Sequence, residues 1–155
     1  MKNSTTPLMI THLAPGALLA DPLNPRTHKP AQIDAISRSI RTFGFNMPVL
    51  ANSDNMIIAG HGRVAAAIKL GLDQIPVVQI DHLSAHQRRA YMIADNRLTD
   101  TSRWSDQLLG KVLRDLTIAD LDFELDAIGF SVGEIDLRID AIEIDGPEKE
   151  DTIPS

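Results

Sequence analysis

The sequence contains no cysteine, and only 4% of its 155 residues are aromatic. A chain without thiols forms no disulfide, offers no thiolate nucleophile and holds no cysteine-ligated zinc or iron–sulfur centre. The lack of cysteine is compatible with the cytoplasm, which is the location we expect. No apolar run approaches the roughly 18 residues of a membrane-spanning helix, and residues 1–7 lack the apolar segment of a signal peptide. We therefore expect no membrane partner.

Basic residues are outnumbered, because 15 Lys and Arg face 21 Asp and Glu for a formal net charge of -6. A negative net charge argues at first against a partner that carries phosphate. The charge is uneven, however: residues 24–72 carry six Lys or Arg and two Asp, whereas residues 101–155 carry five Lys or Arg and fourteen Asp or Glu. The basic segment would attract the phosphates of a nucleotide or of nucleic acid. A solvated, mildly basic face is the alternative.

Hydrophobic periodicity in the first half of the chain alternates between the periods of strands and helices. Pro30 stands where a first helical residue would, and Gly44 stands where a helix commonly ends. Strands are predicted over 8–13, 48–51, 56–59 and 76–80, and helices over 30–43 and 64–70. This alternation predicts a small α/β (α+β) core, a mixed sheet with helices, over residues 8–82.

The second half of the chain is predicted to be helical. Ser84 with Gln87, and Ser131 with Glu134, have the spacing of a capping box at a helix N-terminus. One predicted helix runs from the first box to about Asn96, another follows Ser105, and others cover 120–128 and the residues after Ser131. Together they form a helical extension over 83–144, in which Trp104 is predicted to be a core anchor beside a leucine stripe. Residues 145–155 are predicted to be an acidic tail or linker.

The segment Gly60-His61-Gly62-Arg63 is the most informative local motif, because it joins a strand to the start of a helix. Glycines allow the backbone to approach a ligand closely, and a helix N-terminus favours an anion. Arg63 would add a bidentate grip on phosphate oxygens. The alternative is a tight turn that needs glycine for its dihedral angles, with Arg63 in solvent.

Two further segments carry groups suited to phosphate chemistry. Asn24-Pro25-Arg26 is a rigid turn that holds an arginine and, two residues on, His28, although such a turn also serves as a plain connector. Asp95 and Asn96 offer neighbouring oxygens that would suit Mg²⁺, which prefers few protein ligands together with phosphate and water. The alternative for this pair is the C-terminal end of a helix.

Taken in order along the chain, these motifs resemble the N-terminal domain of the ParB/sulfiredoxin superfamily, the ParB-like nuclease domain. The resemblance covers roughly residues 8–100 and rests on Asn24-Pro25-Arg26, Phe43-Gly44-Phe45, Met47-Pro48-Val49-Leu50, Ile57 to Arg63, Leu70-Gly71, Ile75-Pro76-Val77 and Ala94-Asp95-Asn96-Arg97. It is greatest to the ParB-like domains found ahead of DNA-modification methyltransferases. Through Phe123-Glu124-Leu125 and Gly129-Phe130, it extends to about residue 142.

The resemblance implies a pocket for CTP or ATP with Mg²⁺. The implied nucleotide-binding residues are Arg26, Pro48, Val49, Gly60, His61, Gly62 and Arg63. Asp95 and Asn96 are the implied metal ligands, and Asp95 is also the implied catalytic residue. Gly60-His61-Gly62-Arg63 departs from the family's usual Gly-Glu-Arg-Arg, and Asp95 replaces a glutamate. Because the sequence has no cysteine, the chemistry of sulfiredoxin is excluded.

The function that the resemblance implies is a nucleotide-binding module that acts in DNA modification or DNA partition, with NTP hydrolysis left open. One alternative is a small-molecule kinase or NTPase of the same fold. Another is a non-enzymatic adaptor for a DNA methyltransferase, with the acidic helical half as its contact surface. The expected partners are a nucleotide, DNA bound directly or through a partner domain, a methyltransferase domain and a second copy of the chain.

Overall fold

The computed structural model describes residues 7–145, which form two compact units that divide between Thr101 and Ser102. The sequence-based boundary lies earlier, after residue 82, because the helix that follows it was assigned to the helical extension. Of the predicted acidic tail, residues 146–155 lie outside the described residues. None of the helices within 7–145 is long and apolar enough to cross a membrane.

A four-stranded mixed sheet lies at the centre of the first unit. Its strands follow the order β1-β4-β2-β3, with β2 parallel to β4 and the other two pairings antiparallel. The strands are β1 (Ile10–Leu13), β2 (Val49–Ala51), β3 (Ile57–Ala59) and β4 (Ile75–Gln79). This confirms the predicted mixed α+β fold.

The hairpin between β2 and β3 is built by Asn52. Its Oδ1 accepts hydrogen bonds from the backbone N–H groups of Asp54 at 3.0 Å and Met56 at 2.8 Å. Asn55 adopts a positive φ of 63°, which asparagine tolerates better than most residues. The hairpin therefore follows from local side-chain chemistry, as its Asn-Ser-Asp-Asn sequence predicts.

Two helices of the first unit pack together beside the sheet: α1 (Pro30–Phe43) and α2 (His61–Leu70). The first matches its prediction, and Gly44 ends it with a φ of 90°. The second begins at His61 rather than at Val64. Gly60, in the left-handed conformation, is its N-cap, so the residues predicted as a turn form the first helical turn. The core beneath is apolar and consists of Leu18, Val49, Ala51, Ile57, Val64, Ala67, Ile75 and Val77.

The third helix, α3 (Ala85–Thr101), begins at the predicted capping box. The Ser84 N–H donates to Gln87 Oε1, and the Gln87 N–H donates to Ser84 Oγ. The predicted end at Asn96 is wrong, because no glycine or proline interrupts the following residues and the helix continues to Thr101. Asp95 and Asn96 therefore lie within the helix rather than at its end.

The second unit contains α4 (Asp106–Ile118) and α5 (Val132–Asp145), which pack against each other. Both predicted N-caps are confirmed, since Ser105 accepts from the Leu108 N–H and Ser131 pairs with Glu134. Of the helix predicted over 120–128, only a 3₁₀ turn at Leu125–Ile128 forms. Like charges four residues apart, at 120 and 124 and at 122 and 126, disfavour the longer helix.

Trp104 is not the core anchor that the sequence predicts. It is 64% exposed, and its ring contacts Phe130 with the two centroids 6.2 Å apart. The buried positions of the unit are instead held by Leu113, Ala127 and Ile135. Trp104 therefore lies on the surface of this unit, although it stands beside a leucine stripe in the sequence.

Candidate functional site

A cavity of about 530 Å³ opens in the first unit, a size typical of small-molecule sites. Its lining comes from the turn before α1, α1 itself, the start of β2, the end of β3, the N-terminal turn of α2 and one face of α3. Most of the predicted site residues line it together, namely Arg26, Pro48, Gly60, His61, Gly62, Arg63, Asp95 and Asn96. The fold therefore brings together four segments that are far apart in the sequence.

Val49 is the predicted residue that the structure does not place at the cavity. Its side chain is fully buried in the core, whereas its neighbours Pro48 and Leu50 line the cavity. Successive residues of a strand point to opposite faces, so the sequence Pro-Val-Leu can present only alternate side chains to one side. Val49 supports the site from beneath.

Gly60 and the first turn of α2 form one wall. Gly60 has a φ of 107°, which strongly favours glycine, and it has no side chain with which to cap the helix. The first N–H groups of a helix lack partners within the helix, and the helix dipole adds partial positive charge there. His61, Gly62 and Arg63 all line the cavity from this turn. This wall is suited to an anion.

Arg63 brings a partly buried cation to the same wall. Its Nη2 donates to the carbonyl oxygen of Pro48 at 3.1 Å, while its Nε is buried and has no hydrogen-bond partner within residues 7–145. Burial lowers the pKa of Arg63, and the nearby carboxylate of Asp95 opposes that shift. Because buried donors are nearly always paired in native proteins, the unpaired Nε indicates a missing acceptor.

Gly60 also makes room for this guanidinium. A Cβ atom at position 60 would lie 3.0 Å from Arg63 Nη2 and 3.2 Å from Val49 Cγ2. Both distances are shorter than ordinary van der Waals contacts, so a side chain here would displace Arg63. Gly60 is therefore needed for its conformation and for the position of the arginine.

Arg26 reaches the cavity from the turn before α1. The Oδ1 of Asn24 accepts from the Arg26 N–H at 3.1 Å, which folds the Asn-Pro-Arg sequence into a local turn. Arg26 Nη1 then donates to Asn96 Oδ1 at 2.7 Å, and Asn96 Nδ2 donates to the Met92 carbonyl at 2.7 Å. Asn96 thus fixes Arg26 against α3.

The hydrogen bond between Arg26 and Asn96 limits which of the predicted ligands could bind Mg²⁺. Asn96 Oδ1 already accepts from Arg26, so Asn96 does not fit as a metal ligand here. The Asp95 carboxylate lines the cavity, and Mg²⁺ is often held by one or two carboxylates together with phosphate oxygens. Within residues 7–145, no group of three His, Asp or Glu could hold a metal ion. Asp95 fits a Mg²⁺ that is also bound by phosphate.

Two residues at the cavity have shifted pKa values besides Arg63. Burial lowers the pKa of His61, partly opposed by Asp21, and His61 Nε2 accepts from the Asp21 N–H at 3.2 Å. Burial raises the pKa of Tyr91, and the negative charge of Asp95 raises it further. Both groups are therefore held in their neutral forms near pH 7.

Sequence reasoning overlooked Tyr91 as a site residue. It lies four residues before Asp95 on α3 and lines the same cavity. That spacing places the two side chains on one helical face, which is the signal that would have found it. His28, which was noted only as a neighbour of Arg26, also lines the cavity.

Comparisons with known proteins bear on this site. The model of the family described as the ParB N-terminal domain matches residues 2–96. The ParB-like nuclease domain-containing protein YnaK of Escherichia coli (strain K12) is 42% identical over 66 residues, which are 43% of this chain and 76% of that protein.

Two crystal structures of the C-terminally truncated chromosome-partitioning protein ParB from Caulobacter crescentus are also similar. The complex with CTP-γ-S aligns with a TM-score of 0.69 at 22% identity, covering 84% of this chain and 77% of that chain. The complex with the centromeric parS site aligns with a TM-score of 0.47 at 20% identity, covering 83% and 70%. At this level of identity, the first alignment establishes a shared fold.

Proposed function

The chain belongs to the ParB N-terminal domain family, and from that premise we propose that its first unit binds a nucleoside triphosphate. The observation that carries the proposal is the buried, unpaired Nε of Arg63 beside the N-terminal turn of α2. Arg63 and this turn line the same cavity with donors and positive charge, and the described part of the chain supplies no acceptor for Nε. A polyphosphate would supply the acceptor oxygens.

CTP is the first candidate among the nucleotides, with ATP as the second. The support is the shared fold with the Caulobacter crescentus ParB, whose crystal structure contains CTP-γ-S. The cavity volume of about 530 Å³ would admit a ligand of that size. The residues at the α2 turn bind phosphate in this proposal, so they do not distinguish the base.

Each proposed contact follows from the position of a side chain. Arg63 and the N–H groups of His61 and Gly62 would hold phosphate oxygens, because they form one wall of the cavity. Arg26, which Asn96 fixes in place, would face the same charge from another side. When bound, Mg²⁺ would neutralise part of the triphosphate charge, and Asp95 would be its protein ligand.

We propose that the contact with DNA is made through a partner domain rather than by this chain, because the cavity arginines of the basic segment face the nucleotide in this proposal and the second unit is acidic. Residues 102–145 carry four Lys or Arg against eleven Asp or Glu, and such a surface repels phosphate. A DNA methyltransferase domain is the partner suggested by the motif resemblance. The protein alone should therefore leave a DNA duplex unshifted in electrophoresis at about 50 mM salt, where phosphate contacts are strongest. A salt-sensitive shift would contradict this proposal.

A second candidate is an enzyme of the same fold, either an NTPase or a kinase for a small molecule. It is favoured by the Asp95 carboxylate, which lies in the cavity close enough to affect the pKa of Arg63. Such a carboxylate would bind metal or orient an attacking hydroxyl. Phosphate release or transfer that is lost in Asp95→Asn would establish the enzyme, whereas binding without turnover would establish the module.

A third candidate is an adaptor without nucleotide affinity. It is favoured by the exposed apolar side chains of Trp104, Leu108 and Val112, which repeat every four residues beside and along α4. It predicts that no nucleotide binds and that a partner is lost when these side chains become polar.

Isothermal titration of the protein with CTP, ATP, GTP and UTP in MgCl₂ separates these proposals. Saturable binding of at least one triphosphate, weakened by a substitution at Arg63, is the expected result. Failure of all four to bind would overturn the nucleotide-binding module and favour the adaptor.

A further inference from the structure

His28 lies directly against the first turn of α2. A Cβ atom at position 62 would lie 3.0 Å from His28 Cε1 and 3.2 Å from His28 Nδ1, and Ile36 Cδ1 would be equally close at 3.0 Å. Gly62 is itself buried. The imidazole thus occupies the space that a side chain at position 62 would take. An alanine there would push against the ring.

One nitrogen of the His28 ring is held and the other is available. Nδ1 lies 3.0 Å from Gln32 Oε1 at the start of α1. For Nε2, no hydrogen bond to the described part of the chain is found, and His28 lines the cavity. Gln32 can present either end of its amide to Nδ1, so Nε2 can carry a proton in the neutral ring as well as in the charged one.

We propose that His28 contacts a phosphate of the bound nucleotide, and that position 62 is glycine because the imidazole occupies the space beside it. This inference rests on the proposed function and names a further ligand-binding residue of the same site.

The groups around His28 favour a phosphate over a cation as the ligand. Arg63 and Arg26 line the same cavity, where Asp95 supplies the one carboxylate among the lining residues, and Asp100 lies 3.9 Å from Arg26 Nη1. His61 cannot serve in the same way through Nε2, because that atom already accepts from the backbone of Asp21. His61 could offer the ligand only its Nδ1, whereas His28 offers Nε2, so His28 is one imidazole with a nitrogen available to the ligand.

A purely structural role is the competing explanation, since the ring also packs against Gly62 and Ile36. His28→Leu separates the two roles, because leucine keeps apolar bulk at the α2 turn but offers no donor. His28→Gln retains a donor near the position of Nε2. His86→Leu is the matched control, because His86 is exposed on α3 and does not line the cavity.

The experiment measures the affinity of each variant for CTP and for inorganic tripolyphosphate, together with its melting temperature. His28→Leu is expected to weaken both ligands about tenfold, the effect of losing one hydrogen bond to a charged group. His28→Gln should remain within about threefold of wild type, and His86→Leu should equal wild type. The melting temperature of His28→Leu should stay within a few degrees of wild type.

Several outcomes would overturn the inference while leaving the proposed function in place. One is that His28→Leu binds both ligands as tightly as wild type does. Another is that His28→Leu loses affinity for CTP but not for tripolyphosphate. A third is that His28→Leu and His28→Gln weaken binding equally. Failure of wild type to bind tripolyphosphate while it binds CTP would also overturn it. Failure of wild type to bind any triphosphate would instead overturn the proposed function, and this inference with it.

A double-mutant cycle tests the spatial part of the inference. Gly62→Ala should weaken CTP binding in the wild-type background, because the new methyl group displaces the imidazole from the ligand. In the His28→Ala background the same change should cost at least threefold less, since the ring is already absent. Equal costs in both backgrounds would show that Gly62 does not act through His28.

Discussion

Replacement of Arg63 by methionine is expected to abolish most of the affinity for nucleotide while leaving the fold intact. Methionine retains an apolar stem at position 63 but carries neither charge nor donors. The guanidinium has five N–H groups; one on Nη2 bonds the Pro48 carbonyl, and that of Nε has no partner among the residues that the structure describes. Nε and at least one other N–H are therefore free to bond phosphate oxygens.

The size of the effect follows from those two bonds. A hydrogen bond to a charged group contributes about 1.5–3 kcal/mol. Because Arg63 is only partly buried, we take the lower end for each bond, about 3 kcal/mol in total, which corresponds to roughly a 100-fold rise in Kd. Arg63→Lys keeps the charge without the planar fork and should fall between wild type and Arg63→Met.

The assay is isothermal titration with CTP and Mg²⁺, with urea unfolding of each variant. Arg41→Met is the matched control, because Arg41 is exposed in the last turn of α1 and does not line the cavity. The Arg63→Met protein should unfold within about 1 kcal/mol of wild type, since it loses one bond to Pro48 but also removes an unpaired buried donor. The reasoning is refuted if Arg63→Met and Arg41→Met bind CTP equally well.

Three further predictions concern neighbouring residues of the site. Gly60→Ala should lower the free energy of unfolding by about 1–3 kcal/mol, because it forces a β-carbon into positive φ against Arg63; Gly16→Ala, where a Cβ meets nothing within 4 Å, is the control, and equal effects would contradict the argument. Because burial lowers the pKa of His61 from its ordinary value of 6.5, the unfolded chain takes up that proton first, so stability present above about pH 6.5 declines as pH falls towards the folded-state pKa. His61→Gln should therefore lose less stability than wild type between pH 7 and pH 5, and His86→Gln should follow wild type; identical slopes for His61→Gln and wild type would refute this. Asp95→Asn should reduce the gain in nucleotide affinity that Mg²⁺ provides by roughly tenfold, as judged by titration with and without EDTA, and an unchanged gain would exclude Asp95 as the metal ligand.

Features set by local chemistry were predictable from the sequence. The start of α1 at Pro30, its end at Gly44 and the capping boxes at Ser84 and Ser131 all depend on residues within a few positions of one another. The Asn52 hairpin belongs to the same class, because one side chain closes the turn. Such features need no knowledge of the tertiary structure.

Features set by packing were not predictable in the same way. The polar residues of the last turns of α3 give no apolar pattern to mark where the helix ends, so the sequence predicts an end near Asn96. Val49 was assigned to the site by motif alone, although the alternation of β2 turns it into the core. Trp104 was assigned to the core by residue type, yet its 64% exposure places it on the surface.

The sequence motifs identify individual residues of the cavity but not the hydrogen bonds between them. The motifs identified Arg26, Arg63 and Asp95, and all three line one cavity. No sequence pattern indicates that Asn96 would bond Arg26, because the two are 70 positions apart. That contact changes the role of Asn96 from an expected metal ligand to a residue that positions an arginine.

The most direct test is a crystal structure of the protein grown with CTP and MgCl₂. We expect the triphosphate at the first turn of α2, with a phosphate oxygen within about 3 Å of Arg63 Nε, the distance of an N–H···O hydrogen bond. Arg26 and His28 should line the same phosphates, with Mg²⁺ on Asp95. A nucleotide bound elsewhere, or with Arg63 Nε still unpaired, would contradict the assignment of this cavity as a nucleotide site.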